Sequence, residues 1–156
     1  MDFRDYFDLI QLYAQYAAAL SAGRWEQWPE FFTEDCSYRL QPRENFDRGF
    51  PLATLSFESK GMLKDRVYGI RETLFHDPYY QRLVIGVPVV RLNGTEGFDC
   101  EANYAVFRTK LSELSTVFNV GRSLDTIVRT SDGLKFQSRW VIYDSEMIPN
   151  SIIYPI

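Results

Sequence analysis

Histidine is nearly missing from this sequence, and its scarcity excludes more chemistry than any residue present suggests. His76 is the only one in 156 residues. A two-histidine, one-carboxylate iron site cannot be assembled within such a chain. Neither can a Rieske cluster, which takes two cysteines and two histidines. Cys36 and Cys100 are far apart and match no paired metal spacing, so they read as reduced thiols rather than a disulfide. A cysteine nucleophile would have only His76 as its base. There is no Gly-rich phosphate loop ahead of a helix and no G-x-S-x-G elbow. No apolar run approaches the roughly 20 residues of a membrane span. Asp2, Arg4, Asp5 and Asp8 interrupt the opening turns that a signal peptide would keep apolar. A net charge of −4 favours neither nucleic acid nor an anionic membrane. The expectation is a cytoplasmic protein.

Apolar residues are plentiful: 46% are hydrophobic and 16% aromatic, which is material for a core and argues against disorder. One domain spanning 1–156 is expected. Asp2 reads as the N-cap of a helix in which Phe3, Tyr6, Phe7, Ile10, Tyr13, Ala14, Ala17 and Leu20 recur at helical spacing. Gly23 is placed to end it in a left-handed conformation. A second short helix is expected over 24–32, a strand over 36–40, a polar loop over 41–50 and a strand over 52–57. Glu58-Ser59 opens a third helix with Leu63, Val67, Ile70 and Leu74 on its apolar stripe and Lys64, Asp65, Arg66 and Arg71 outside. His76-Asp77-Pro78 ends it.

The remaining chain reads as strands. Residues 82–92 form one predicted strand whose Leu83-Val84-Ile85-Gly86-Val87 run suggests burial on both faces. Asn93-Gly94 is a hairpin turn leading into a strand over 98–110, and as a turn it outweighs the glycosylation sequon that Asn93-Gly94-Thr95 spells. Two long arms, 115–130 and 133–144, meet at Thr130-Ser131-Asp132-Gly133. Parity assigns Leu134, Phe136, Trp140 and Ile142 to an apolar face and Lys135, Gln137 and Arg139 to a wet one. In the first arm it separates Phe118, Val120, Leu124 and Val128 from Asn119, Ser123, Asp125 and Arg129. Helices first and a meander afterwards give an α+β fold, a cone-shaped curved sheet, antiparallel or mixed, wrapped around the N-terminal helices.

Two sets of residues are candidates for function. Tyr13, Tyr16, Asp35, Tyr38, Tyr104, Asp125 and Tyr143 could supply acid–base chemistry in the mouth of the cone, where burial would raise an aspartate's pKa. The competing reading, which carries more weight, makes the tyrosines core residues and the aspartates caps and turns. His76 at a helix end reads as structural. The second set is the loop Arg43-Glu44-Asn45-Phe46-Asp47-Arg48-Gly49 with Phe50-Pro51-Leu52 behind it. Paired charges around Phe46 and Phe50 suggest an interface or internal scaffold more than a plain surface loop. Arg43, Glu44, Phe46, Asp47, Arg48 and Phe50 are the candidate interface residues.

The runs Glu44-Asn45-Phe46-Asp47-Arg48-Gly49-Phe50-Pro51-Leu52-Ala53 and Gly61-Met62-Leu63-Lys64-Asp65-Arg66 carry a family resemblance. So do Val120-Gly121-Arg122 and the stretch from Arg129 through Asp132-Gly133 and Arg139 to Asp144. The chain resembles the small (β) subunits of aromatic-ring-hydroxylating, Rieske-type oxygenases, those of the benzoate, anthranilate and salicylate 5-hydroxylase kind above all. The resemblance implies the cone fold of the NTF2-like and scytalone dehydratase-like superfamily and a non-catalytic subunit without metal ligands. It implies that the [2Fe-2S] Rieske cluster and mononuclear Fe(II) lie in a partner large (α) subunit, with electrons from NAD(P)H passing through reductase and ferredoxin components. It implies an α3β3 assembly in which sister β subunits also touch. One departure is Tyr79-Tyr80-Gln81-Arg82, where related chains often carry a histidine. The rival expectation is a free-standing, cofactor-independent lyase or isomerase using the cone pocket.

Overall fold

The computed structural model describes residues 1–156 except Glu96 and Asn150. Helix α1 covers Phe3–Ser21 and starts as its sequence dictates. The Asp2 side chain accepts from the Asp5 N–H while the Asp5 side chain accepts from the Asp2 N–H, a reciprocal cap. Gly23 takes φ +67° just past the helix. A 3₁₀ stretch, Trp25–Phe31, then turns the chain into strand β1, Phe32–Pro42. Helix α2 is five residues, Arg43–Asp47, where a loop was expected. Pro42 opens it and the i,i+4 pairs Arg43–Asp47 and Glu44–Arg48 support it. Strand β2, Leu55–Phe57, is shorter than the sequence suggests.

Helix α3, Lys60–Tyr68, is capped by the Ser59 side chain. It ends in a wider turn over Gly69–Thr73, closed by the Leu74 N–H on the Gly69 carbonyl at 2.7 Å. The expected stripe holds for Leu63, Val67 and Ile70, which are buried, while Leu74 is exposed. Arg66 is not outside: it is half-buried and donates inward.

The single strand expected over 82–92 is two, β3 (Tyr80–Ile85) and β4 (Val89–Asn93), broken at Gly86-Val87-Pro88. Burial alternates along β3, with Gln81 and Leu83 in and Val84 out, so it is covered on one face only. Both β3 and β4 pair antiparallel with the same long strand β5, Gly97–Thr109. Strands β6 (Thr116–Thr130) and β7 (Gly133–Tyr143) follow, and Gly133 alone supplies the positive φ of their turn. The sheet order is β2-β1-β7-β6-β5-β3, with β4 beside β5, and β1 runs parallel to β7.

A bulge in β7 reverses the parity read from sequence. Thr126 faces Ser138 but Ile127 faces Phe136, leaving Gln137 unpaired. Before it Leu134 and Phe136 point inward; beyond it Arg139, Val141 and Tyr143 do. Arg139, expected in water, is fully buried. The partner strand follows. Its buried residues past Phe118 are Asn119, Ser123, Asp125 and Ile127, so the polar parity of β6 faces the core. The inner face carries α1, whose Leu9, Leu12, Tyr13, Tyr16 and Leu20 are buried. Phe3 and Phe7, expected on that stripe, lie exposed at its start. No helix among the described residues is long and apolar enough to cross a membrane.

Candidate functional site

The convex face of the sheet builds the first candidate region. On β1 and β7 the outward positions include Gln41, Trp140 and Ile142, and Gln41 lies opposite Ile142 in register. The Gln41 amide is used at both ends: Nε2 donates to the Phe50 carbonyl (2.6 Å) and the Leu52 carbonyl (3.2 Å), and Oε1 accepts from Trp140 Nε1 (3.0 Å). Asn45 Nδ2 adds a bond to the Leu52 carbonyl at 3.0 Å. Residues 43–52 are thereby fixed against the sheet. Phe46 meets the Trp140 ring edge-on at 4.9 Å, under the Arg122 guanidinium. Arg43 reaches both Asp47 and Asp144 at 3.5 Å, and Arg48 pairs with Glu44 at 3.2 Å while lying over the Phe50 ring. All six predicted interface residues therefore fall in one patch. Their charges are paired among themselves, and Phe50 (49% exposed) and Leu52 (73%) are its open apolar groups.

The same face continues as an apolar band that the sequence reading missed. Cross-strand register aligns Val84, Ala105 and Val120 in one row and Arg82, Phe107 and Val117 in the next. Tyr80, Val84, Phe107, Val117 and Val120 are all exposed there. The signal for the band was the outward parity of β3 and β5, hidden because the Leu83–Val87 run reads as buried throughout.

The interior builds the second candidate region. The Asp125 Oδ2 atom accepts from Tyr13 Oη (2.6 Å), Ser123 Oγ (2.7 Å) and Arg139 Nη1 (2.8 Å). The Arg139 guanidinium lies 4.6 Å from the Tyr16 ring centre and 5.1 Å from that of Phe136. Its Nε and Nη2 have no hydrogen-bond acceptor, and the neighbouring rings offer the guanidinium cation–π contact instead. Burial raises the Asp125 carboxyl above its ordinary value, while Arg139, Tyr13 and Ser123 pull it down. Burial also works against the charge on Arg139, but Asp125 and the surrounding tyrosines carry its pKa upward. The guanidinium keeps its proton, and three donors on one oxygen fit a carboxylate. This pair ties α1 to β6 and β7.

The other predicted interior groups are equally engaged. Tyr16 accepts from Trp28 Nε1 (3.0 Å) and donates to the Ile156 carbonyl (2.9 Å), which Tyr38 also reaches at 3.0 Å. Tyr104 donates to Asn119, and the Tyr143 and Thr54 hydroxyls share a bond. Asp35 is exposed and belongs to neither region. His76 lies 2.9 Å from the Tyr154 hydroxyl. Acid–base catalysis in the cone is not favoured by this arrangement: Asp125 Oδ2 is held by three donors including the Arg139 guanidinium, and Oδ1 is buried without a partner. Among the described residues no three His, Cys, Asp or Glu side chains cluster as a metal site.

The comparisons with known proteins agree on the lineage. The family model described as ring hydroxylating beta subunit matches residues 15–150. The small subunit of anthranilate 1,2-dioxygenase from Burkholderia cepacia is 35% identical over 156 residues, covering 99% of this chain and 96% of that one. A crystal structure described as the beta subunit of an aromatic-ring-hydroxylating dioxygenase from Novosphingobium aromaticivorans superposes with a TM-score of 0.88 at 32% identity, covering 97% of each chain. A scytalone dehydratase-like protein from the same organism, 14% identical, shares the fold alone: its TM-score is 0.67 over 97% of this chain and 89% of that one. The architecture is thus the NTF2-like cone, and the chain belongs to the ring-hydroxylating beta subunit family, the small subunits of aromatic-ring-hydroxylating dioxygenases.

Proposed function

We propose that this chain, as one domain, is a non-catalytic small subunit that stabilises the terminal oxygenase component of a multicomponent aromatic-ring hydroxylase in the cytoplasm. The observation that carries the reading is the patch at 43–52. A surface segment laced down by Gln41, with its charges mutually paired and Phe50 and Leu52 left open, has the make-up of a contact surface. The band on β3, β5 and β6 adds a second face that a partner would cover.

The large subunit is the partner assigned to the patch at Arg43, Glu44, Phe46, Asp47, Arg48 and Phe50, within an α3β3 complex where sister small subunits also meet. That large subunit would hold the [2Fe-2S] Rieske cluster and the mononuclear Fe(II). Ferredoxin and reductase components would bring electrons from NAD(P)H. The substrate we propose is a substituted benzoate, with salicylate the first to try, hydroxylated by mono- or dioxygenation. The anthranilate enzyme's small subunit, similar over its whole length, supports that class.

Co-expression of the tagged chain with its large subunit tests this. The expected outcome is a brown complex of the two chains in equal amounts that consumes salicylate. Phe50→Asp should lower co-purification by about tenfold, and Arg48→Ala by less, with unchanged thermal unfolding of the small chain. Full assembly by both variants would remove the patch from the interface.

A further inference from the structure

Residues 151–156 adopt no regular structure and pair with no strand among the described residues, yet Ile152, Tyr154, Pro155 and Ile156 are all buried. Side chains of the body hold this segment by its main chain. Arg66 Nη2 donates to the carbonyls of Ile152 (3.1 Å) and Ile153 (2.9 Å), and Gln81 Nε2 to that of Pro155 (2.8 Å). The Tyr16 and Tyr38 hydroxyls both reach the Ile156 carbonyl, and the Ile156 N–H donates back to Tyr38 at 3.2 Å. The side chains at 152, 154 and 156 belong to the hydrophobic core, with Ile153 packed against it and Pro155 buried.

Tyr154 occupies a three-sided aromatic box. The Tyr154 ring stacks on Trp25 with centres 4.5 Å apart and a 20° tilt. Tyr79 closes a second side at 4.6 Å, and His76 the third, edge-on at 5.2 Å with its Nε2 on the hydroxyl. Main-chain bonds for affinity and pockets for alternate side chains for selectivity are how proteins recognise extended peptides. Three polar atoms of the cleft, Gln81 Oε1, Arg66 Nε and the Tyr79 hydroxyl, are buried without a partner, so the cleft offers more bonds than its present occupant uses.

We propose that this cleft is a peptide-binding site, filled here in cis, whose ligand in trans is residues 151–156 of a second copy of this chain. Between β7 and this segment, Asp144 is held by Arg43 and by the Val120 carbonyl, and Ile148 packs half-buried on the core. Asp144 to Met147 and Pro149 are exposed, and Ser145 and Met147 bond only each other among side-chain contacts at the turn. A short link gives its own segment an effective concentration in the mM range, so cis occupancy wins in dilute solution. Exchange between copies takes over when the cis segment is weakened.

The test uses the full chain, with a protease site inserted in the exposed 145–147 turn and cut only after folding. The released fragment should stay with the body through gel filtration and be displaced by excess labelled peptide Ser-Ile-Ile-Tyr-Pro-Ile. The same peptide carrying Tyr→Ala at the third residue from its end should compete at least tenfold worse. Loss of the fragment with collapse of the body, or equal competition by both peptides, overturns the proposal. For the trans arrangement, a Tyr154→Ala/Ile156→Ala chain is mixed with a Trp25→Ala/Gln81→Ala chain. A one-to-one complex on ultracentrifugation, absent from either chain alone, is expected. Two folded chains that stay apart overturn the assignment of a second copy as the ligand.

Discussion

Arg139 shows how far a single side chain can depart from its sequence reading. Strand parity counts it among the wet residues with Lys135 and Gln137, but the bulge at Gln137 turns it into the centre of the core. No feature of the surrounding residues announces a bulge of this kind, so the burial of Arg139 could not be read in advance, whereas Asp125 was already a candidate for the interior. Residues whose own chemistry fixes their geometry were legible: Asp2 and Ser59 as caps, and Gly23 and Gly94 at positive φ. Breaking the buried pair from one side should be severe. Arg139→Met strands the Asp125 carboxylate and is expected to cost about 3–5 kcal/mol. Arg139→Met/Asp125→Leu should recover most of that loss, because it removes both charges. Urea unfolding of the two variants measures the difference, and equal destabilisation would show that packing rather than charge sets the cost.

Among the elements, the 41–50 stretch is where sequence and structure differ most usefully. Its polarity suggested a loop, and local i,i+4 pairing makes a turn and a half of helix instead. Its reading as a fixed segment rested on arginine–carboxylate pairs that do form, while the amide of Gln41 that anchors it was not anticipated. The β6–β7 ladder, by contrast, was plain from its alternation and turn, apart from which face looks inward. Its tightest point is Gly121, opposite Tyr143. A Cβ there would stand 2.0 Å from the Ile142 carbonyl oxygen and 2.8 Å from the Tyr143 Cα. These are backbone atoms of β7, which cannot yield as a side chain would. Gly121→Ala should therefore destabilise by about 1–3 kcal/mol or more and open the ladder at that end. Faster amide exchange at Asp144, whose N–H bonds the Val120 carbonyl, is the local readout.

For the molecule as a whole, the fold class and family were legible because helix-first order and two specific sequence runs survive local misreadings. The exposed band was not, since surface and core apolar residues look alike in sequence. Deep burial of weak acids sets an alkaline limit. Desolvation pushes Cys36 up to about 11, and Cys100 and Tyr16 up to about 12. Each loses its proton more readily in the unfolded chain, so their contribution to stability is complete below their ordinary values and falls as pH rises toward the shifted ones. Once past its unfolded pKa, each group should remove about 1.4 kcal/mol per pH unit. Urea midpoints should be flat from pH 7 to 8 and drop steeply between 9 and 11, and a flat profile to pH 11 would contradict the burial of these groups. A last consequence follows from the parallel pairing of β1 with β7. Ser37 lies beside Ser138, so the middle of the sheet joins residues from opposite ends of the chain. Contact order is high at this seam, and such closures are slow. On the ribosome, Trp28, Phe32 and Tyr38 must wait uncovered until β7 has been synthesised, which makes the nascent chain a candidate for chaperone capture before any partner subunit can meet it.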